Sequence, residues 1–266
     1  LDKAGLTLGA ASLPGRLFLR VALLVLLAFT GPASAVALAA VAGDSSLRVA
    51  EAAAVETRTN GKIFGADPVE GRFTCSGTAL STPSRSIVLT AGHCVVENHR
   101  WGRHLVFVPA YDHGVRPFGT FVASAVYTTP QWRRSENPDF DVAAIRVEPN
   151  RLGTLGDVVG DREWTTGRSR FSSFQIFGYP AGALRGEALR ACDTQGLGGD
   201  PLTDPFPGPP TLPGVCDMAG GSSGGAWIVE GRYLDGVTSY GYTHQRTRLY
   251  SPYFGAAIGR FLGSLP

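Results

Sequence analysis

A glycine-bracketed pair of serines running straight into an apolar strand constrains this chain more than any other feature. The segment reads Gly220-Gly221-Ser222-Ser223-Gly224-Gly225 and continues as Ala226-Trp227-Ile228-Val229. On its own the glycine-serine stretch is the composition of a flexible linker. A linker is not normally followed at once by a buried-strand sequence, so the turn belongs to the fold. Glycines permit backbone conformations that a Cβ hinders, and such turns aim successive N–H groups into a concave nest. The N–H groups of Gly221 and Ser223 are therefore the expected oxyanion hole, and Ser223 the expected nucleophile. Ser222 is the competing choice; the register against Gly224-Gly225 favours Ser223.

A serine hydroxyl becomes a useful nucleophile when a neutral imidazole takes its proton, and the imidazole needs a carboxylate to fix its tautomer. Both partners occur upstream. The strand-like run Ile87–Thr90 leads into Ala91-Gly92-His93-Cys94, which makes His93 the candidate base. Taken alone, a histidine is more often a surface-loop residue. Asp141 opens the apolar run Val142–Val147, where a loop enters a buried strand and an unpaired carboxylate is costly. Asp139 competes, two residues earlier and on the same face if both are extended. The bland reading of either aspartate is a turn residue making local hydrogen bonds.

The surroundings of this trio are all-β in character. The chain carries 35 glycines and 18 prolines among 266 residues, which favours short strands joined by tight turns. Apolar runs recur at Phe73–Leu80, Ser86–Thr90, Leu105–Val108, Thr120–Tyr127 and Val142–Val147. A second series follows at Ser173–Gly178, Ala226–Val229, Leu234–Tyr240 and Arg248–Tyr253. Six or so strands on either side of a weakly structured stretch near 148–170 predict two antiparallel six-stranded β-barrels, 61–155 and 156–266, with the site in the cleft between them. Residues 198–214 hold six prolines and four glycines, which excludes a helix or a central strand. This segment is a surface loop, with or without a border on the cleft. A net charge of +2 with scattered basic residues gives no footprint for nucleic acid.

Residues 1–35 resemble an export signal. Lys3, Arg16 and Arg20 flank an unbroken apolar run, Val21–Phe29, and Gly31-Pro32 then precedes Ala33-Ser34-Ala35, a small-x-small cleavage site. The alternative is a membrane anchor, because 21–42 contains no charge. Residues 36–60 are alanine-rich and read as a pro-segment or a tail. Four cysteines fit an oxidising compartment. Cys75 and Cys94 flank one hairpin-like segment and Cys192 and Cys216 flank the proline-rich loop, so two local bridges are expected. No Cys-x-x-Cys and no histidine pair at ligand spacing points to a metal. No cofactor is expected.

The ordered set Thr90-Ala91-Gly92-His93-Cys94, Asp141-Val142-Ala143, Gly221-Ser222-Ser223-Gly224-Gly225 and Gly236-Val237-Thr238-Ser239-Tyr240-Gly241 resembles the trypsin/chymotrypsin-fold serine proteases. The likeness spreads over residues 63–262 and is closer to the bacterial branch that includes the V8-like glutamyl endopeptidases. It implies a secreted, monomeric serine endopeptidase acting on polypeptides through His93, Asp141 and Ser223. It also implies a substrate pocket walled by Thr238, Ser239, Tyr240 and Gly241, with Ser239 to Gly241 pairing to the substrate backbone. Asp217 stands six residues before the nucleophile, where trypsin-like members carry the pocket carboxylate; His244 is a further, surface-loop neighbour. Two departures stand out. Ser222 replaces the aspartate that receives a new N-terminal ammonium, and the Thr238-Ser239-Tyr240 stretch lacks the histidine of the glutamyl branch. The rival reading is a non-catalytic binding protein on the same fold, since fold does not fix function.

Overall fold

Period-two alternation with both faces buried explains the most apolar strands. In a computed structural model, which describes residues 48–49, 55–182, 185–200, 206–218 and 220–266, the run Ile87–Thr90 is buried at every position. Val88 points into the first barrel, while Ile87 and Leu89 point the other way, into a cluster shared by both barrels. A strand covered on both sides reads as a continuous apolar run. Full burial of one such side chain is worth roughly 1.5–3 kcal/mol. The expected leader, 1–35, lies outside the described residues, as does 36–60 apart from 48–49 and 55–60.

The first barrel consists of β1 (Asn60–Asp67), β2 (Gly71–Leu80), β3 (Ile87–Thr90), β4 (Arg103–Pro109), β5 (Phe121–Thr128) and β6 (Ala143–Val147). It is closed and antiparallel, in the order β1-β2-β3-β6-β5-β4, with β4 returning to β1. Ile63, Val88, Phe107, Phe121 and Ile145 fill its interior.

The second barrel consists of β7 (Ser173–Gly178), β8 (Arg190–Gln195), β9 (Leu212–Val215), β10 (Ala226–Val229), β11 (Tyr233–Val237) and β12 (Arg248–Ser251). One sheet runs β8-β7-β10-β11, and Arg48–Val49 adds a short antiparallel edge to β8. β9 pairs with β12 separately. Single bridges Gly196–Gly214 and Tyr240–Tyr250 carry β8 onto β9 and β11 onto β12, so the six strands form a ring. Trp227 is fully buried inside it, edge-on to Phe174 at 5.4 Å, and its indole N–H donates to Thr238 Oγ1. Between the barrels lies a shared core of Leu89, Ala144, Phe177, Ile228 and Leu234, capped by Ile258 and Leu262 from a C-terminal helix, Ala256–Gly263.

One sequence expectation is corrected here. Leu212–Val215 is a strand although it overlaps the proline-rich segment. Pro213 is tolerated because it stands opposite Tyr250 in a strand whose other side has only one bridge, and its carbonyl accepts from Leu197 N–H.

Candidate active site

Strand register brings the histidine and the aspartate together. β3 and β6 are antiparallel with Thr90 opposite Ala143. The turn that follows β3 therefore lies beside the turn that precedes β6. His93 sits in a 3-10 turn, Gly92–Cys94, and the Cys75–Cys94 disulfide ties that turn to β2. Asp141 caps a second 3-10 turn, Pro138–Phe140. Its carboxylate accepts from the His93 backbone N–H through Oδ1 at 2.8 Å and meets His93 Nδ1 through Oδ2 at 2.8 Å. Ser239 Oγ donates to the same Oδ2 at 2.5 Å. Asp141 is 1% exposed, so these three bonds are what make a carboxylate tolerable there. With Nδ1–H facing a carboxylate, Nε2 is the nitrogen left to accept a proton.

Burial opposes the charged form of His93, but the Asp141 charge and hydrogen bond, together with the more distant Glu97, outweigh it and raise its pKa above the ordinary histidine value. Asp139 does not share the face of Asp141, because the 3-10 turn replaces the extended backbone that would have aligned them. Its carboxylate instead lies against Gly208.

The serine loop is held carbonyl by carbonyl. Gly220 O accepts from Ala181 N–H at 2.6 Å, and Gly221 O from Ser76 Oγ at 2.9 Å. Ser222 O accepts from Gly225 N–H at 2.9 Å, and Ser223 O from Ser76 N–H at 2.7 Å. A trans peptide points its N–H opposite to its C=O. Tying the carbonyls of Gly220 and Ser222 into the protein therefore turns the N–H groups of Gly221 and Ser223 outward. Neither N–H donates to a group among the described residues. Gly221 has φ +92° and Gly224 φ +77°, and a Cβ on Gly224 would overlap Thr90 Oγ1 and Ser76 O, so neither position accepts a side chain without strain.

Ser222 is 2% exposed and lies against Gly178, whereas Ser223 is half-buried. Ser223 and His93 line one cavity of about 230 Å³, in which Asp67, Glu70, Glu97 and Arg100 also take part. No direct hydrogen bond joins Ser223 Oγ to the imidazole in this structure. Ser223 also borders a second cavity of about 620 Å³, with Asp217, Tyr240, Tyr242 and Arg246 among its walls.

The other expected pocket residues divide. Ser239, Tyr240 and Gly241 line the larger cavity. Ser239 N–H is already given to Tyr250 O, and Tyr240 O already accepts from Tyr250 N–H. Among the described residues Ser239 O and Gly241 remain for an added strand. Thr238 borders the cavity, but its hydroxyl accepts from Trp227 and its backbone bonds Gly224 and Gly225, so it braces the serine loop. Asp217 lines the cavity from an exposed position, and His244 stacks on Tyr242 at the surface. A third cavity, of about 430 Å³, joins His93, Trp132 and Tyr240 to Phe206. The proline-rich loop therefore borders the cleft, and Pro207 O accepts from Asn137 of the first barrel. Nothing in the local sequence around Ser76 marked it, because Gly221, Ser223 and Tyr179, which it bonds, lie on the other barrel. Cys75, Cys94 and His93 place donor atoms within 4.8 Å of one another, but both sulfurs are spent in the disulfide. The remaining cysteines, Cys192 and Cys216, are joined to each other.

Two antiparallel six-stranded β-barrels packed on a shared core define the chymotrypsin-fold class. The trypsin family matches residues 58–258, and the chain belongs to that family. It is a serine-type endopeptidase by that membership. It is similar to protease Anisep from Arthrobacter nicotinovorans, 34% identical over 77% of this chain and 93% of that one, with a TM-score of 0.71. The thermostable serine protease AL20 from an extremophilic microorganism is 30% identical over 78% of this chain and 96% of that one, with a TM-score of 0.71. A Glu endopeptidase, 18% identical with a TM-score of 0.66 over 83% of this chain and 96% of that one, shares the fold. An extracellular metalloprotease of Bacillus subtilis (strain 168) is 28% identical over 89 residues, which are 33% of this chain and about a quarter of that protein (26%).

Proposed function

We propose that the chain is an exported endopeptidase that cleaves polypeptides through an acyl-enzyme on Ser223. His93 Nε2 takes the Ser223 proton as Oγ attacks the scissile carbonyl, and Asp141 holds the imidazole in the tautomer that allows this and stabilises its charged form. The carbonyl oxygen, now an oxyanion, sits against the N–H groups of Gly221 and Ser223. His93 then gives the proton to the leaving amine, and the C–N bond breaks. Water enters, His93 takes its proton, and the acyl group leaves as a carboxylic acid while Ser223 regains its hydrogen. No cofactor takes part.

The observation that carries this reading is the buried Asp141 bonding both the backbone and the ring of His93, on the same cavity as Ser223. Export is supported by the leader-like residues 1–35, by two disulfides and by the extracellular relative. The working division is a leader at 1–35, a pro-segment or tail at 36–60, and the two barrels at 61–155 and 156–266, in a monomer free of the membrane once the leader is removed.

The test is mass spectrometry of the exported protein after a fluorophosphonate probe. An adduct on Ser223, absent from Ser223→Ala, is the expected result. No adduct on folded, processed protein would leave a binding protein on this fold as the better account.

A further inference from the structure

We propose that Ser76 is the positioning residue that sets the oxyanion-hole geometry, holding the serine loop of the second barrel from β2 of the first. The role rests on the assignment of Ser223 as nucleophile and of Gly221 and Ser223 N–H as the hole.

Every hydrogen-bonding group of Ser76 is engaged with the cleft. Its N–H donates to Ser223 O at 2.7 Å, and its Oγ donates to Gly221 O at 2.9 Å. That Oγ accepts from Tyr179 N–H at 2.9 Å, which leaves its own hydrogen to point at Gly221. Its carbonyl accepts from Thr90 Oγ1 at 2.8 Å, on the strand that leads to His93. Ser76 is 1% exposed, so none of these bonds is traded for water.

Four consecutive peptide planes separate Gly220 from Gly224, and Ser76 holds two of them. The other two are held by Ala181 and by the loop itself. Gly221 has no Cβ to restrict its backbone, and its φ of +92° is set by the planes on either side. Ala181 N–H holds the plane before it and the Ser76 hydroxyl the plane after it. Ala181 lies two residues past Tyr179, so Tyr179, Ala181 and Ser76 act as one clamp. The hydroxyl of Ser76 anchors the loop from the opposite barrel.

Ser76→Thr and Ser76→Val have the same shape and differ only in the hydroxyl, so their comparison cancels any steric cost. The readouts are the fluorophosphonate labelling rate at Ser223 and the acylation burst with p-nitrophenyl acetate, each per folded molecule by melting curve. Losing an oxyanion donor outright costs roughly 10²–10³ in turnover, so loosening one through its neighbour is expected to slow acylation about tenfold to a hundredfold in Ser76→Val. Ser76→Thr is expected to restore the rate, and the pH profile set by His93 is expected to be the same in both. Where Ser76→Val fails to fold, Ser76→Ala replaces it in the comparison. Equal acylation rates with and without the hydroxyl, whatever the melting temperatures, overturn the proposal. An unlabelled Ser223 in the unsubstituted protein overturns the nucleophile assignment itself, and this role with it.

Discussion

Asp235 makes the stability of this protein depend on pH in a calculable way. It lies on β11, is 4% exposed, and its Oδ1 has no hydrogen-bond partner among the described residues. Burial pushes its pKa up to about 7, against the attraction of Arg168. An unperturbed aspartate titrates near 3.9, so ionising Asp235 above pH 7 costs about 3 units at ~1.4 kcal/mol each, roughly 4 kcal/mol. The folded-state value is the raised one. The associated stability is therefore full below about pH 4, falls as pH rises to about 7, and is flat above. Asp235→Asn removes the charge but buries an amide without a made bond, which costs about 1–3 kcal/mol. The variant is expected to melt lower than the unsubstituted protein at pH 4 and higher at pH 8. A gain of about 1–3 kcal/mol at pH 8 corresponds to roughly 2–4 °C for each kcal/mol in a domain of this size. The assay is thermal melting of both proteins at pH 4, 5, 6, 7 and 8, read as their difference so that other carboxylates cancel. Parallel curves across that range would refute the reasoning.

Asp141→Asn should lower turnover by about 10⁴ in a steady-state assay, while Asp139→Asn, turned toward Gly208, should leave it nearly unchanged. The acid limb of kcat/KM should sit above the ordinary histidine value, since His93 must be neutral to act as base and its pKa is raised. Glu97→Gln removes one of the charges holding it up, so a pH–rate profile should show that limb displaced to lower pH. Opening the Cys75–Cys94 bridge, whose cysteines are 19 residues apart, should cost roughly 3 kcal/mol by melting and should also slow acylation, because the bridge holds the His93 turn.

The candidate site was legible where chemistry leaves a local mark. His93 follows a fully apolar strand, Asp141 precedes another, and Ser223 lies in a glycine turn that no ordinary loop needs. Asp141 was preferred to Asp139 for its place beside the apolar run, and a 3-10 turn that sequence does not announce is what parts the two carboxylates, one to His93 and one to Gly208. Strand β1 was illegible because Gly61 and Gly65 interrupt its alternation, and those glycines exist to admit the rings of Phe107 and Phe73. β9 was hidden by Pro213, whose missing N–H matters little in a strand with one full neighbour. Ser239 was expected to meet the substrate backbone, and nothing in the sequence reported that its hydroxyl also reaches Asp141 from 98 residues away.

The hydrogen bonds that hold the serine loop in place were unread for a different reason: several of them run between the two barrels. Ser76 reaches Gly221 across 145 residues, and Tyr179 reaches Ser76 across 103. Lys62, on β1 and 3% exposed, lies over the rings of Phe64 and Tyr111 and ion-pairs at 3.3 Å with Glu187, which also accepts from Tyr111. A buried ammonium needs a partner, and Glu187 of the second barrel supplies it. Lys62 and Ser76 thus each reach from the first barrel to the second, at Glu187 and at Tyr179. The serine loop is encoded with the second barrel, and two of its four peptide planes are held from the first. Its geometry therefore depends on how the two barrels dock.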